Sequence, residues 1–206
     1  VSWLLVAAGV LVALGAAVAI GARGTRTAGL GVLVALVFTP FVADPLPSSA
    51  VLGFRIVAGT LAAFLMVVAA RHAGGASGSP LGLPAAVMTA LAAFAAGLGA
   101  TAVGLPEFGP EAALAPGVAC LAVAIAPVAL SRDPFRLGTA LLILADAGLL
   151  VRGSLVGTAP DLEALVAGGM LVAVAAAAAV LAGAGAIASG DPAISRGAAE
   201  RRRPPA

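Results

Sequence analysis

The sequence predicts an all-α integral membrane protein: a bundle of seven transmembrane helices, N-terminus outside and C-terminus cytoplasmic. Three observations predict it. Of the 206 residues, 62% are hydrophobic and 10% charged, with a mean hydropathy of +1.15, whereas a water-soluble domain carries about 25% charge. The apolar residues fall into seven runs near the ~20 residues that cross a bilayer core. The arginines between those runs fall on alternate loops, as the positive-inside rule requires. Helices are favoured over a barrel because a barrel's alternating strands give a far weaker apolar signal.

The first run spans about Trp3 to Ile20, with the indole at the edge where it suits an interface. It has no basic segment before it and is followed by Arg23 and Arg26, so it reads as a retained span and not a cleaved leader. The second, about Ala28 to Ala43, is short and carries Pro40 near its end. After the loop DPLPSS a third run, about Ala50 to Ala70, contains Arg55 and closes at Arg71 and His72. GGASGSP is a surface linker with His72 on its loop side. The fourth run, about Pro84 to Gly104, places proline in a first helical turn, where its missing N–H costs nothing. The fifth, about Ala112 to Leu130, contains Pro116 and Pro127. Either proline marks a broken, pathway-lining helix, or Pro116 sits in a first turn and Pro127 makes a kink. The sixth, about Leu137 to Val151, carries Asp146, and the seventh runs from about Leu162 to Ala188 before a basic tail.

Charge placement tests the count. Arg23 and Arg26, Arg71, Arg132 and Arg136, then Arg196 and Arg201 to Arg203 occupy one set of loops. Asp44, Glu107 and Glu111, Asp161 and Glu163 occupy the other, with Arg152 the basic exception. Merging any two runs would scatter the arginines over both faces. The implied division is 1–110 as a four-helix part, 111–188 as a three-helix part and 189–206 as a basic cytoplasmic tail. All eleven basic residues are arginine, a pattern that fits coding bias in a GC-rich genome, and the high isoelectric point carries no implication of nucleic-acid binding.

Asp146 is the residue of greatest chemical interest. An acid near the centre of a span costs roughly 2.5–3.5 kcal/mol on insertion scales, so it needs a compensating partner or role. It lies six residues from the outer end of its run, roughly 9 Å below the outer surface. It reads as a proton-relay carboxylate or one end of a buried ion pair, with a hydrogen-bonded packing acid as the alternative. Arg55 falls at similar depth on the third run and is the natural partner, unless it snorkels to the headgroups. The small-residue stretch VAVAAAAAVLAGAGA suits close helix packing, and Ala175, Ala179 and Gly183 are its candidate interface positions. One histidine and one cysteine, Cys120, exclude an internal disulfide and indicate neither a metal site nor a cofactor. No phosphate loop, hydrolytic triad or zinc signature is present.

The segment DPFRLGTALLILADAGLLV, with the apolar helix after its acidic loop, resembles the three-helix small subunit of complex I-type enzymes. Its relatives include the K subunit of bacterial NADH:quinone oxidoreductases and the C subunit of multisubunit cation/proton antiporters. Seven spans with four ahead of such a module are similar to the hydrogenase-4 component E family. The resemblance implies a small, non-catalytic membrane-arm subunit in a bacterial or archaeal cytoplasmic membrane. It would pack in the bilayer against larger antiporter-like subunits and support proton translocation. In those small subunits a glutamate stands one turn before an Asn-Ala pair. Matching that pair to Asp146-Ala147 leaves Leu142 at the glutamate position, so either Asp146 serves from the next turn or the subunit carries no protons. A stand-alone transporter or substrate-capture protein is the second expectation, and a purely structural scaffold subunit the third.

Overall fold

A computed structural model describes residues 3–43, 46–72, 81–102, 111–131, 133–157 and 160–188. Among these residues there is no strand. The helices are α1 (Trp3–Gly21), α2 (Thr25–Phe38), α3 (Ser49–His72), α4 (Leu83–Ala102), α5 (Glu111–Leu130), α6 (Pro134–Val156) and α7 (Asp161–Ala188). Seven helices, counting α2 with the short turn that prolongs it, are long and apolar enough to cross a membrane. In the number of such helices and in being all-helical, the described residues agree with the sequence.

Two differences from the expected bounds bear on the site. The second span does not run as one helix. Pro40 has no N–H to offer the carbonyl four residues back, and the chain tightens at that point into a single 3-10 turn, Thr39–Val42. The sixth span is longer than its apolar run, because two arginines taken as its ends lie inside the helix. Asp133 caps its start by accepting the Phe135 N–H at 3.0 Å, with Pro134 in the first turn. The helix ends at Gly157, whose φ of +86° is costly for any residue with a Cβ. His72 is the last residue of α3 and not a loop residue.

Alanine and glycine set the packing. Gly15 and Ala19 of α1 face Gly31 and Ala35 of α2, so closely that a Cβ on Gly15 would lie 2.7 Å from the Ala35 nitrogen and 2.9 Å from the Gly31 oxygen. Backbones approach this closely only through small residues spaced four apart on both helices. The largest buried cluster joins Val12, Leu36, Met66, Cys120, Leu142 and Ala175 among others, so α1, α2, α3, α5, α6 and α7 share one core. The 110/111 division falls outside the described residues, and the helices on its two sides pack against each other throughout that core. Pro116 and Pro127 both lie inside α5 and are fully buried, and Pro116 abuts Gly9 of α1.

Antiparallel order places the α1–α2, α3–α4 and α5–α6 connections at one end of the bundle and the α2–α3 and α6–α7 connections at the other. Arg23, Arg26, Arg71 and Arg136 belong to the first end. Arg136 does not stay in its loop. It is buried, and its guanidinium donates to the Arg23 carbonyl at 3.1 Å and, at a longer 3.4 Å, to that of Ile20. It therefore caps the C-terminus of α1, where the last carbonyls lack helical partners and the helix dipole favours a cation.

Candidate functional site

Asp146 projects from α6 into the core with 1% of its surface exposed. It lies ten residues before Val156, about 15 Å from the end of the helix. That is deeper than the apolar run implied, because α6 continues past Arg152. Its partner is Thr39, 107 positions away in sequence. The carboxyl oxygen Oδ2 and Thr39 Oγ1 are 2.7 Å apart, and Oδ1 is buried with no hydrogen-bond partner among the described residues.

Local chain chemistry explains how Thr39 reaches it. The residue sits where α2 gives way to the 3-10 turn, and its Oγ1 is also 2.9 Å from the Ala35 carbonyl. A hydroxyl has one proton and can donate it once. When Thr39 donates to Asp146, the Ala35 carbonyl loses that bond. When Thr39 donates to Ala35, the short Oδ2–Oγ1 contact requires the carboxyl itself to carry a proton and donate it. The pair thus has two hydrogen-bonding arrangements that differ by one proton.

Thr39 also forms part of the wall of a cavity of about 270 Å³ at the bundle end opposite the buried Arg136. Its polar lining comprises Thr39, Ser48, Arg55, Arg152, Asp161 and Glu163. Arg152 donates to Glu163 Oε2 at 2.7 Å, joining the end of α6 to the start of α7. The Ser48 hydroxyl donates to Asp161 Oδ2 at 3.3 Å, joining the start of α3 to the same turn. Arg55 is half-buried, lines the cavity and makes no hydrogen bond or ion pair with the described residues. It lies six residues into α3, about 9 Å from that helix end. Asp146 is therefore the deeper of the two by about 6 Å, and no ion pair joins them among the described residues. Arg55 and Thr39 both line the vestibule, and Asp146, which does not, is reached through its contact with Thr39.

On the far side of Asp146 the buried side chains one turn away are apolar. Leu142 and Ile143 are fully buried one turn away. The next hydroxyl on that face, Thr139, donates to the Phe135 carbonyl at 2.9 Å and lies two turns off, about 10 Å along the axis. Cys120, also fully buried, belongs to the same core.

Of the interface positions on α7, Ala175 is fully buried inside the chain, Ala179 is half-buried and packed on the core, and no atom lies within 4 Å of where a Cβ on Gly183 would stand. The small face of this helix is used within the bundle: Ala178 takes the space over Gly138 of α6, and Phe54 of α3 covers Gly168. The residue that sequence reasoning missed is Thr39. The signal was a Thr-Pro pair near the end of a short span, where a freed carbonyl and a hydroxyl stand together. No group of metal-binding side chains occurs among the described residues. No protein-family model, no curated protein and no solved structure matches this chain.

Proposed function

We propose that the chain is a seven-pass protein of a bacterial or archaeal cytoplasmic membrane, N-terminus outside, that serves as a small membrane-arm subunit of a proton-translocating assembly. The complex I, group 4 hydrogenase and cation/proton antiporter types are the candidate assemblies. One observation carries the proton part of this reading: a fully buried carboxyl and a hydroxyl 2.7 Å apart, with the hydroxyl lining a cavity. Rotation of the Thr39 hydroxyl between Asp146 and the Ala35 carbonyl accommodates both protonation states of the acid. Protons arriving in the vestibule would reach Asp146 through Thr39, while Arg55 offsets negative charge on the route. The buried apolar side chains Leu142 and Ile143 beyond the acid support a reading in which this chain would supply only half of a transmembrane route. A half-route is of use to a subunit whose neighbours supply the remainder, and it argues against a self-sufficient pump.

The test uses the protein in its native membrane. The chain should co-purify with larger antiporter-like subunits, and Asp146→Asn should reduce proton translocation by roughly tenfold or more while assembly is retained, since a relay group contributes on the order of 10²–10⁴. Wild-type translocation by Asp146→Asn would leave the scaffold role in its place. A second reading, a stand-alone protein that captures a small organic acid, is favoured by one observation: Arg55 has no ion-pair partner among the described residues and stands at the wall of a cavity of about 270 Å³. Under that reading the purified chain is a monodisperse monomer, and organic acids raise its melting temperature in the wild type but not in Arg55→Gln.

A further inference from the structure

At the end of the bundle opposite the vestibule, a groove of about 550 Å³ opens between α2 and α3. Thr25, Arg26 and Arg71 form its polar rim, and Leu30, Val67 and Ala70 its apolar wall. We propose that this groove holds an anionic phospholipid, its phosphate between Arg26 and Arg71 and an acyl chain along α2 and α3.

Four features converge on that occupant. Arg26 and Arg71 are both exposed and make no hydrogen bond or ion pair with the described residues, and no acid lines the groove. The start of α2 faces the same rim. Its N-cap, Gly24, has no side chain to receive the first-turn N–H groups, which lack helical partners and point outward from a positive helix end. Below the rim the wall turns apolar at once, with Leu30 62% exposed. The exposure continues along one face of α3 through Phe64, Leu61 and Val57. From Arg71 to Val57 that stripe runs about 21 Å, more than one leaflet of a ~30 Å hydrocarbon core. A free anion would use the rim and ignore the stripe. A second protein would need a larger apolar face and an acid to answer two arginines. A lipid phosphate with its tail uses both parts, and basic pockets between transmembrane helices recognise such headgroups.

The experiment places the full chain in phosphatidylcholine bilayers containing a minor fraction of spin-labelled phosphatidylglycerol and measures the motionally restricted lipid. The wild type should hold phosphatidylglycerol in preference to labelled phosphatidylcholine. Each interfacial arginine contributes roughly fivefold, so Arg26→Gln with Arg71→Gln should remove most of the preference. Arg23→Gln, an exposed arginine outside the groove whose loss removes one charge, as Arg26→Gln alone does, should retain it. Leu30→Asn should weaken it with both arginines intact. The proposal is overturned if the double variant holds phosphatidylglycerol as well as the wild type, or if Arg23→Gln loses as much. Displacement of the lipid by millimolar inorganic phosphate would overturn it too, in favour of a free-anion site. The outcome is independent of proton transfer at Asp146, which lies on α6 and does not line this groove.

Discussion

At the scale of single residues, the structure turns on how one acid is accommodated. Asp146 is visible in the sequence as a charge in an apolar run, and Arg55 is the charge at similar predicted depth. The structure interposes a hydroxyl. Moving a long cation down beside the acid would desolvate both groups, whose attraction must then outweigh two burial penalties. A threonine already inside the core asks only for a rotamer. Thr39→Val should therefore destabilise the protein by about 1 kcal/mol, the range of interhelical hydrogen bonds in membranes, with Thr39→Ser largely neutral. Unfolding in mixed detergent micelles measures both, and a loss confined to Thr39→Ser would show that the contact contributes shape alone. Arg136 makes a contrasting case. Its sequence position suggests a loop charge, yet its Nε is buried with no hydrogen-bond partner among the described residues while its terminal nitrogens cap α1. Arg136→Gln should cost about 1–2 kcal/mol in the same assay, because cations at partly buried helix C-termini contribute on that order. The exposed Arg23→Gln should cost under about 0.5 kcal/mol.

At the scale of elements, hydropathy located seven helices but misjudged where two of them change. α6 outruns its apolar stretch at both ends, since backbone hydrogen bonds continue regardless of side-chain charge, and its limits are set by Asp133 and Gly157. Asp133→Ala should cost about 1 kcal/mol through loss of the cap. Close packing is also unevenly legible. The alanine-rich stretch of α7 drew attention by composition, while the tightest crossing lies between α1 and α2 at Gly15 and Gly31. Small residues are common throughout this chain, so their presence alone does not reveal which helix meets which. Gly31→Val should destabilise by roughly 1–3 kcal/mol, the usual cost of overpacking, or prevent folding. Gly99→Ala should be neutral or stabilising by about 0.5–1 kcal/mol, because no neighbouring helix among the described residues comes within 4 Å of its added carbon. Thermal denaturation of the two variants in one detergent separates the outcomes, and similar melting points would refute the assigned crossing.

At the scale of the whole molecule, the charged residues described divide unevenly between the two ends of the bundle. Arg23, Arg26, Arg71 and Arg136 stand with Asp133 at one end, while Arg55 and Arg152 stand with Asp161 and Glu163 at the other. Under the proposed topology the positive-inside rule would turn the vestibule outward and the groove between α2 and α3 inward. In a Cys120→Ala background, Gly24→Cys should react with membrane-impermeant maleimide only from the cytoplasmic side, and Leu46→Cys only from outside. The reverse pattern would invert the orientation and the direction of any proton entry. The Arg152–Glu163 pair ties α6 to α7 at the vestibule mouth, but both side chains are about 40% exposed. Glu163→Gln should therefore shift stability by less than about 1 kcal/mol.

The sequence by itself determined the class, the number of long apolar helices and the singularity of Asp146. Each follows from transfer free energy summed over neighbouring residues, which needs no knowledge of the fold. The tertiary structure decided what Asp146 touches, that Arg55 stops short of it, that Arg136 caps another helix and that the small face of α7 turns inward. Those outcomes depend on side chains more than a hundred positions apart being carried to one depth, as Thr39 and Asp146 are. Depth and rotation of a helix are set by what packs against it, not by its own composition.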